Sequence, residues 1–476
     1  MASTEVLNVV PDAAPRLPEP LVEADDAQRN SPPMQMCFLF RDRLDQVRLQ
    51  EAFGRVVSKN PEIAGRARST GRSTLEIHFS GPLGCPFYVK PLQPATEEHL
   101  ERLSSEAVVS RSMGFQQLLV TQVGIESTGI TTDDIIDKDG PLCVVTYCPG
   151  SRLSMLCMSL CHLVGDAWTY FALLRSWEEE YSGSPSAPLT RRVDLKLSDF
   201  VLANTPKIVP TVVSFFRWAL MGRLPRSAVS ACMSDAQFAA FRAQEAEKVP
   251  SGLFVSENDA FLAWVANQLG SKLCAVSVCD RGKGSRPPRS IGNGFCCPFS
   301  VSAGGSGRWS PLDIRRVVAT RRSDNDGLTF RRCGLVWREE VLVVSNWAKV
   351  QHVPCFGSQM CYSVIADAAW YNYALPCTIT YKPCLGELVA LHTGLESSQA
   401  ARLEASYKRA GISSTIIPSE EIRSATAALR TPAVRGGSLS VVDESIRLLS
   451  AHRLGAAHAA GLFAAGLLAV LLRQLC

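Results

Sequence analysis

One histidine in this chain of 476 residues stands where an imidazole can do chemistry. His162 lies in the stretch Ser159-Leu160-Cys161-His162-Leu163-Val164-Gly165-Asp166-Ala167. Upstream, Leu142 to Leu160 is dense in apolar residues around Pro149-Gly150-Ser151, which predicts two buried strands joined by a turn. Beyond Asp166 the apolar spacing becomes helical and runs to Glu178-Glu179-Glu180. His162 is therefore expected at the end of a buried strand, in the turn before a helix. Backbone can orient the ring from one side while the other faces a cavity. Imidazole titrates near neutral pH, so a residue placed this way suits proton transfer. Two other readings stay open: a structural histidine that hydrogen-bonds the turn, and a nucleophilic Cys161 beside it. Cys157 and Cys161 otherwise read as core strand residues.

Other chemistries lack their residues. There is no Gly-x-Ser-x-Gly elbow for a serine hydrolase and no Gly-x-x-x-x-Gly-Lys loop for a nucleotide phosphate. No Cys-x-x-Cys or His-x-x-x-His spacing supports a metal site, and none is expected. A net charge of +4 with no basic cluster interleaved with aromatics argues against nucleic acid as a partner.

The elements that must position His162 read as two halves. Residues 1–33, rich in Pro, Ala and acidic groups, are expected to be a mobile segment. Met34 begins a strand, and Asp45 to Lys59 has helical spacing that stops at Asn60-Pro61. Strands follow near Leu75 to Phe79 and Pro86 to Val89, then a helix near Thr96 to Val108. The first domain is drawn at 34–182. Residues 183–225 form a linker opening on Gly183-Ser184-Pro185, with a buried crossover helix over Ile208 to Leu224. The second domain is drawn at 226–417. It holds helices over Ser234 to Glu247 and from Ser256, strands at Leu273 to Val278 and Val341 to Val344, and a closing strand–strand–helix through Thr378 to Tyr381, Glu387 to Thr393 and Glu396 to Arg409.

Several of these stretches, in this order, resemble the BAHD acyltransferases and, more distantly, the chloramphenicol acetyltransferase fold. His162-Leu163-Val164-Gly165-Asp166 is similar to the family's His-x-x-x-Asp motif. Pro61 to Arg66 resembles its Pro-x-x-Ala-Gly-Arg corner, and Ser256 to Ala260 its Ser-x-x-Asp-Ala helix. Cys279-Asp280-Arg281 and Gly292-Asn293 resemble its Asp-x-Arg and Gly-Asn strand pair. Ser345-Asn346-Trp347 resembles its Thr-Ser-Trp, and Phe356-Gly357 is what remains of Asp-Phe-Gly-Trp-Gly. The chain departs from the pattern at Ala167 (usually Gly), Cys279 and Cys355 (each in an Asp slot).

The resemblance implies an α/β (α+β) fold of two similar domains, each a mixed sheet with helices, with an active-site channel at their interface. It implies acyl transfer from an acyl-coenzyme A co-substrate to a small-molecule hydroxyl or amine acceptor, with His162 as general base and no acyl-enzyme. Asp166 is then structural and paired with Arg281. Ser345, Asn346 and Trp347 lie near the oxyanion, and Phe356 and Gly357 belong to the substrate and coenzyme A channel. No permanently bound cofactor is implied. A catalytically silent scaffold of this fold, and a condensation-domain-like enzyme using a carrier-bound donor, are the alternatives; here Cys161 stands where condensation domains have the first of two histidines.

No apolar leader or glycosylation sequon is visible, and the seventeen cysteines favour apolar runs, so a reduced, cytoplasmic setting and a monomer are expected. Residues 418–453 read as linker. Leu454 to Leu472 carries no formal charge and is a candidate membrane anchor, though its seven alanines and three glycines make it weakly hydrophobic.

Overall fold

The computed structural model describes residues 4–13, 17–21, 32–70, 75–80, 83–105, 123–129, 135–190, 226–246, 249–250, 252–279, 281–282, 288–293, 295–296, 299–301, 308–320, 341–366 and 376–422. The crossover helix expected over Ile208 to Leu224, most of the 418–453 linker and the apolar segment 454–472 lie outside them. No described helix is long and apolar enough to cross a membrane.

Two mixed sheets organise residues 1–429. The first has six strands in the order β1 (Glu5–Val9), β6 (Cys85–Val89), β7 (Cys143–Pro149), β8 (Ser154–Leu160), β3 (Met34–Phe40) and β15 (Met360–Ile365). Strands β3, β7 and β8 are buried along their whole length, which is why their sequences are near-continuous apolar runs. The turn between β7 and β8 is clamped by Glu97 on α2 (Pro94–Ser105), whose carboxylate accepts from the Arg152 and Leu153 amides at 2.6 and 3.0 Å. Helix α1 (Gln46–Lys59) starts at Asp45, which accepts from the Arg48 amide, and buries Leu49, Phe53, Val56 and Val57. It packs with α3 (Ala167–Tyr181), where Trp177 meets Phe53 at 4.8 Å.

The second sheet has seven strands in the order β13 (Phe299–Val301), β10 (Leu273–Val276), β14 (Val341–Asn346), β16 (Cys377–Tyr381), β17 (Glu387–Leu395), β9 (Ser227–Ser234) and β18 (Ser413–Ile417). The β10–β14–β16 pairings are parallel, the remainder antiparallel. Helices α4 (Asp235–Ala246), α5 (Glu257–Leu269), α6 (Pro311–Thr320) and α7 (Ser397–Arg409) contribute Phe241, Phe261, Ile314 and Leu403 to its core. A capping box between Ser256 and Asp259 starts α5, and Gly270 ends it with φ 69°. Two small sheets complete the set: β4 (Arg66–Ser69) and β5 (Leu75–His78) with β2 (Glu19–Pro20), and β11 (Val278–Cys279) with β12 (Phe295–Cys296).

Two features depart from the sequence reading. Within the segment expected to be mobile, Glu5–Val9 adds an edge strand to β6 and Glu19–Pro20 pairs with β5, so backbone hydrogen bonds order what composition alone does not. And β15, from the second half of the chain, pairs antiparallel with β3 of the first, so the sheets do not follow a boundary at 226.

Candidate active site

His162 lies two residues beyond the end of β8. The Cys161 amide donates to the Leu142 carbonyl at 2.8 Å, the Val164 amide donates back to Cys161, and Asp166 caps α3 by accepting from the Thr169 amide at 3.0 Å. Gly165 is required in this turn: a Cβ there would lie 2.5 Å from the Thr169 Cβ. The same glycine forms a parallel bridge with Gly292, bringing residues 290–293 of the second half against the histidine turn.

Asn293 completes the arrangement. Its amide nitrogen donates to the His162 carbonyl at 2.7 Å, and its amide oxygen lies 2.9 Å from His162 Nδ1. A carbonyl can only accept, so the amide NH₂ must face it, and the amide oxygen must then face Nδ1. An oxygen there requires Nδ1 to carry the proton, which leaves the lone pair on Nε2. His162 is 8% exposed. Burial lowers its pKa below the ordinary imidazole value, with Asp166 and the hydrogen bonds opposing in part. The ring is therefore neutral at neutral pH.

Asp166 faces Arg281, not the imidazole. Its two oxygens accept from Arg281 Nη1 at 2.7 Å and Nη2 at 2.9 Å. The guanidinium also donates to the Ser290 and Gly292 carbonyls and the Thr169 hydroxyl, and lies 4.4 Å from the Trp168 ring. Burial works against the charge of Arg281, but Asp166 raises its pKa above the usual value. Cys279 contributes a thiol 3.8 Å from Nη1.

Ser345, Asn346 and Trp347 close β14 and diverge. The Trp347 indole N–H donates to the Ser345 hydroxyl at 2.9 Å, and the ring joins the apolar cluster that holds Cys161, Leu163 and Val164. Asn346 points to the opposite face, where its amide donates to Asn258 of α5 at 2.6 Å. Strand alternation thus corrects the expectation of three oxyanion donors: Asn346 is turned away from the other two.

Phe356 and Gly357 also differ from expectation. Phe356 has φ 44° and a ring 1% exposed, edge-on to Phe40, Trp177 and Tyr181 at 5.3–6.0 Å. It fills the first core instead of lining a channel, because the apolar faces of β3 and α3 converge on it; Gly357, at φ 75°, makes the turn. The acidic slot held by Cys355 is answered from the helix. Glu178 on α3 accepts from the Cys355 amide at 3.0 Å and from the Cys355 thiol and His352. Burial opposes its charge, yet these donors hold its pKa down to about 2.

No protein-family model matches the chain, and no curated protein matches it by sequence. Solved structures match it in fold. TRI101 of F. sporotrichioides, complexed with coenzyme A and T-2, has a TM-score of 0.57 at 13% identity over 85% of this chain and 100% of its own. Vinorine synthase has 0.56 at 13% identity, over 86% and 98%. The condensation domain of the monacolin K polyketide synthase MokA has 0.52 at 11% identity, over 84% and 97%. These likenesses establish the fold as mixed α/β with two sheet-and-helix halves, the chloramphenicol acetyltransferase-like architecture.

Proposed function

We propose that this chain is an acyltransferase that moves an acyl group from a coenzyme A thioester to the hydroxyl or amine of a small molecule, with His162 as general base. The observation that carries the reading is the reciprocal His162–Asn293 pair, which puts the proton on Nδ1 of a buried, neutral imidazole. The coenzyme A complexes of TRI101 support the choice of donor.

In this mechanism Nε2 removes the proton from the acceptor as its oxygen or nitrogen attacks the thioester carbonyl carbon. The carbonyl oxygen takes the negative charge. The Ser345 hydroxyl, whose oxygen already accepts the Trp347 N–H, keeps its own hydrogen to donate to that oxyanion. Collapse breaks the carbon–sulfur bond, and the proton on Nε2 passes to the departing thiolate. Asp166 and Arg281 shape the turn and take no proton.

The likeness to MokA favours one other reading, in which the thioester is presented on a carrier protein. Free-thiol release from a panel of acyl-coenzyme A donors, with pooled alcohols and amines, separates the two. Acceptor-dependent release that falls roughly 10²–10⁴-fold in His162→Ala fits removal of a general base and supports coenzyme A. Bound coenzyme A without release would indicate a silent scaffold. Turnover with a carrier-bound thioester alone would move the donor to the carrier.

A further inference from the structure

Strand β8 ends at Leu160 beside the histidine turn and begins at Ser154, so its far end lies roughly 20 Å from His162 at about 3.3 Å per residue. At that end the β7–β8 turn, the end of β3, the start of β15 and the loop 353–359 enclose a cleft of about 700 Å³. That volume falls within the range of small-molecule sites. Leu39, Leu153 and Met360 line it, the first two only 2% and 5% exposed, and Leu385 stands at its rim 84% exposed.

Arg41 and Arg152 line the same cleft. Arg152 is offset by Glu101 at 2.9 Å. Arg41 is exposed and enters no ion pair among the described residues; its charge acts on the thiol of Cys361, the residue at the bulge between Met360 and Tyr362. Asp42, next in sequence, gives its carboxylate to the Ser358 hydroxyl at 2.9 Å. Among the described residues Arg41 is thus a cation of the cleft without an ion-pair partner, although the charge of Asp42 also acts on Cys361. The walls are fixed: the Arg41 amide donates to Gln359 at 3.0 Å, and the loop that carries Cys355 is tied to Glu178 and seated on Phe356.

We propose that this cleft is a second ligand site, separate from His162, for a small amphipathic carboxylate. The head pairs with Arg41, and the apolar body lies along Leu39, Leu153 and Met360 beneath Leu385. Nothing in the assignment depends on acyl transfer at His162.

Titration calorimetry of the full chain with decanoate tests it, using decanol as the probe without a charge. One saturable site is expected, with decanol weaker by roughly tenfold or more, the size of a lost charge-assisted hydrogen bond. Arg41→Gln should weaken decanoate by a similar factor, Arg41→Lys should retain most of the binding, and His162→Ala should bind as the wild type does. Leu385→Glu, at an exposed position that tolerates change, should also weaken it and guards against misfolding at Arg41. Saturating decanoate should slow alkylation of Cys361, read by peptide mass spectrometry. Absence of saturable binding, equal affinity for decanol, indifference to both Arg41→Gln and Leu385→Glu, or loss of binding in His162→Ala would overturn the assignment.

Discussion

At the scale of single residues the site rests on two amide hydrogen bonds. The histidine was legible in sequence because an apolar strand followed by a helix-capping Asp announces a turn. Asn293 was not, because its contact with His162 spans 131 residues and no spacing rule reaches that far. Asn346 was misplaced for a complementary reason: three adjacent polar residues look equivalent until strand alternation sends the middle one to the other face. The amide pair makes a prediction of its own. Replacing Asn293 by Leu removes the group that fixes the tautomer while leaving the imidazole in place, so kcat should fall with little change in KM. Steady-state kinetics of coenzyme A release would show it, and a change confined to KM would place Asn293 in ligand binding instead.

At the scale of elements, the buried strands β3, β7 and β8 and the amphipathic α1 and α3 were readable from apolar pattern. Strand β9 was not: Ser227 to Ser234 mixes small and polar residues and owes its place to pairing with β17 and β18 on either side. The join between α3 and the loop carrying Phe356 has a pH signature. Glu178 titrates at about 2 in the folded chain, against about 4.3 for a free glutamate, so it contributes on the order of 3 kcal/mol above pH ~4.3. That contribution is lost as pH falls from there towards 2, since the unfolded chain binds the proton first. Glu178→Gln should flatten the pH dependence of denaturant stability across this window. An acid limb as steep as that of the wild type would show that the loop is held by other contacts. His392 acts in the same direction at higher pH. Burial lowers its pKa to about 3, between the Thr378 and Tyr407 hydroxyls, so the folded state loses stability as pH drops from about 6.5 through 3.

At the scale of the whole molecule, the second half of the chain joins the first sheet through β15 and meets the histidine turn through Arg281, Gly292 and Asn293. A division of the chain into consecutive domains could not foresee β15, because a strand's sequence states its burial and not its partner. The ion pair of Asp166 and Arg281 ties the histidine turn to the second half of the chain. Removing one partner leaves a buried charge uncompensated, at a cost of about 3–5 kcal/mol. Asp166→Ala is thus expected to lower the thermal midpoint and the rate together, and Asp166→Asn, which keeps the cap on α3, should recover part of the stability. Scanning calorimetry read beside activity checks this; an Asp166→Ala protein with unchanged thermal midpoint would contradict the account.

The central claim is that a buried, neutral His162, its tautomer set by Asn293, removes the acceptor proton. The most direct test is the pH dependence of kcat/KM for coenzyme A release in the wild type and Asn293→Asp. In the wild type the rate should rise with pH through a midpoint below the ordinary imidazole pKa, as His162 loses its proton. A carboxylate in place of the amide stabilises the imidazolium, so in Asn293→Asp the same limb should move to higher pH by roughly a unit or more. A profile that stays where it was, with activity retained, would mean that His162 is not the base.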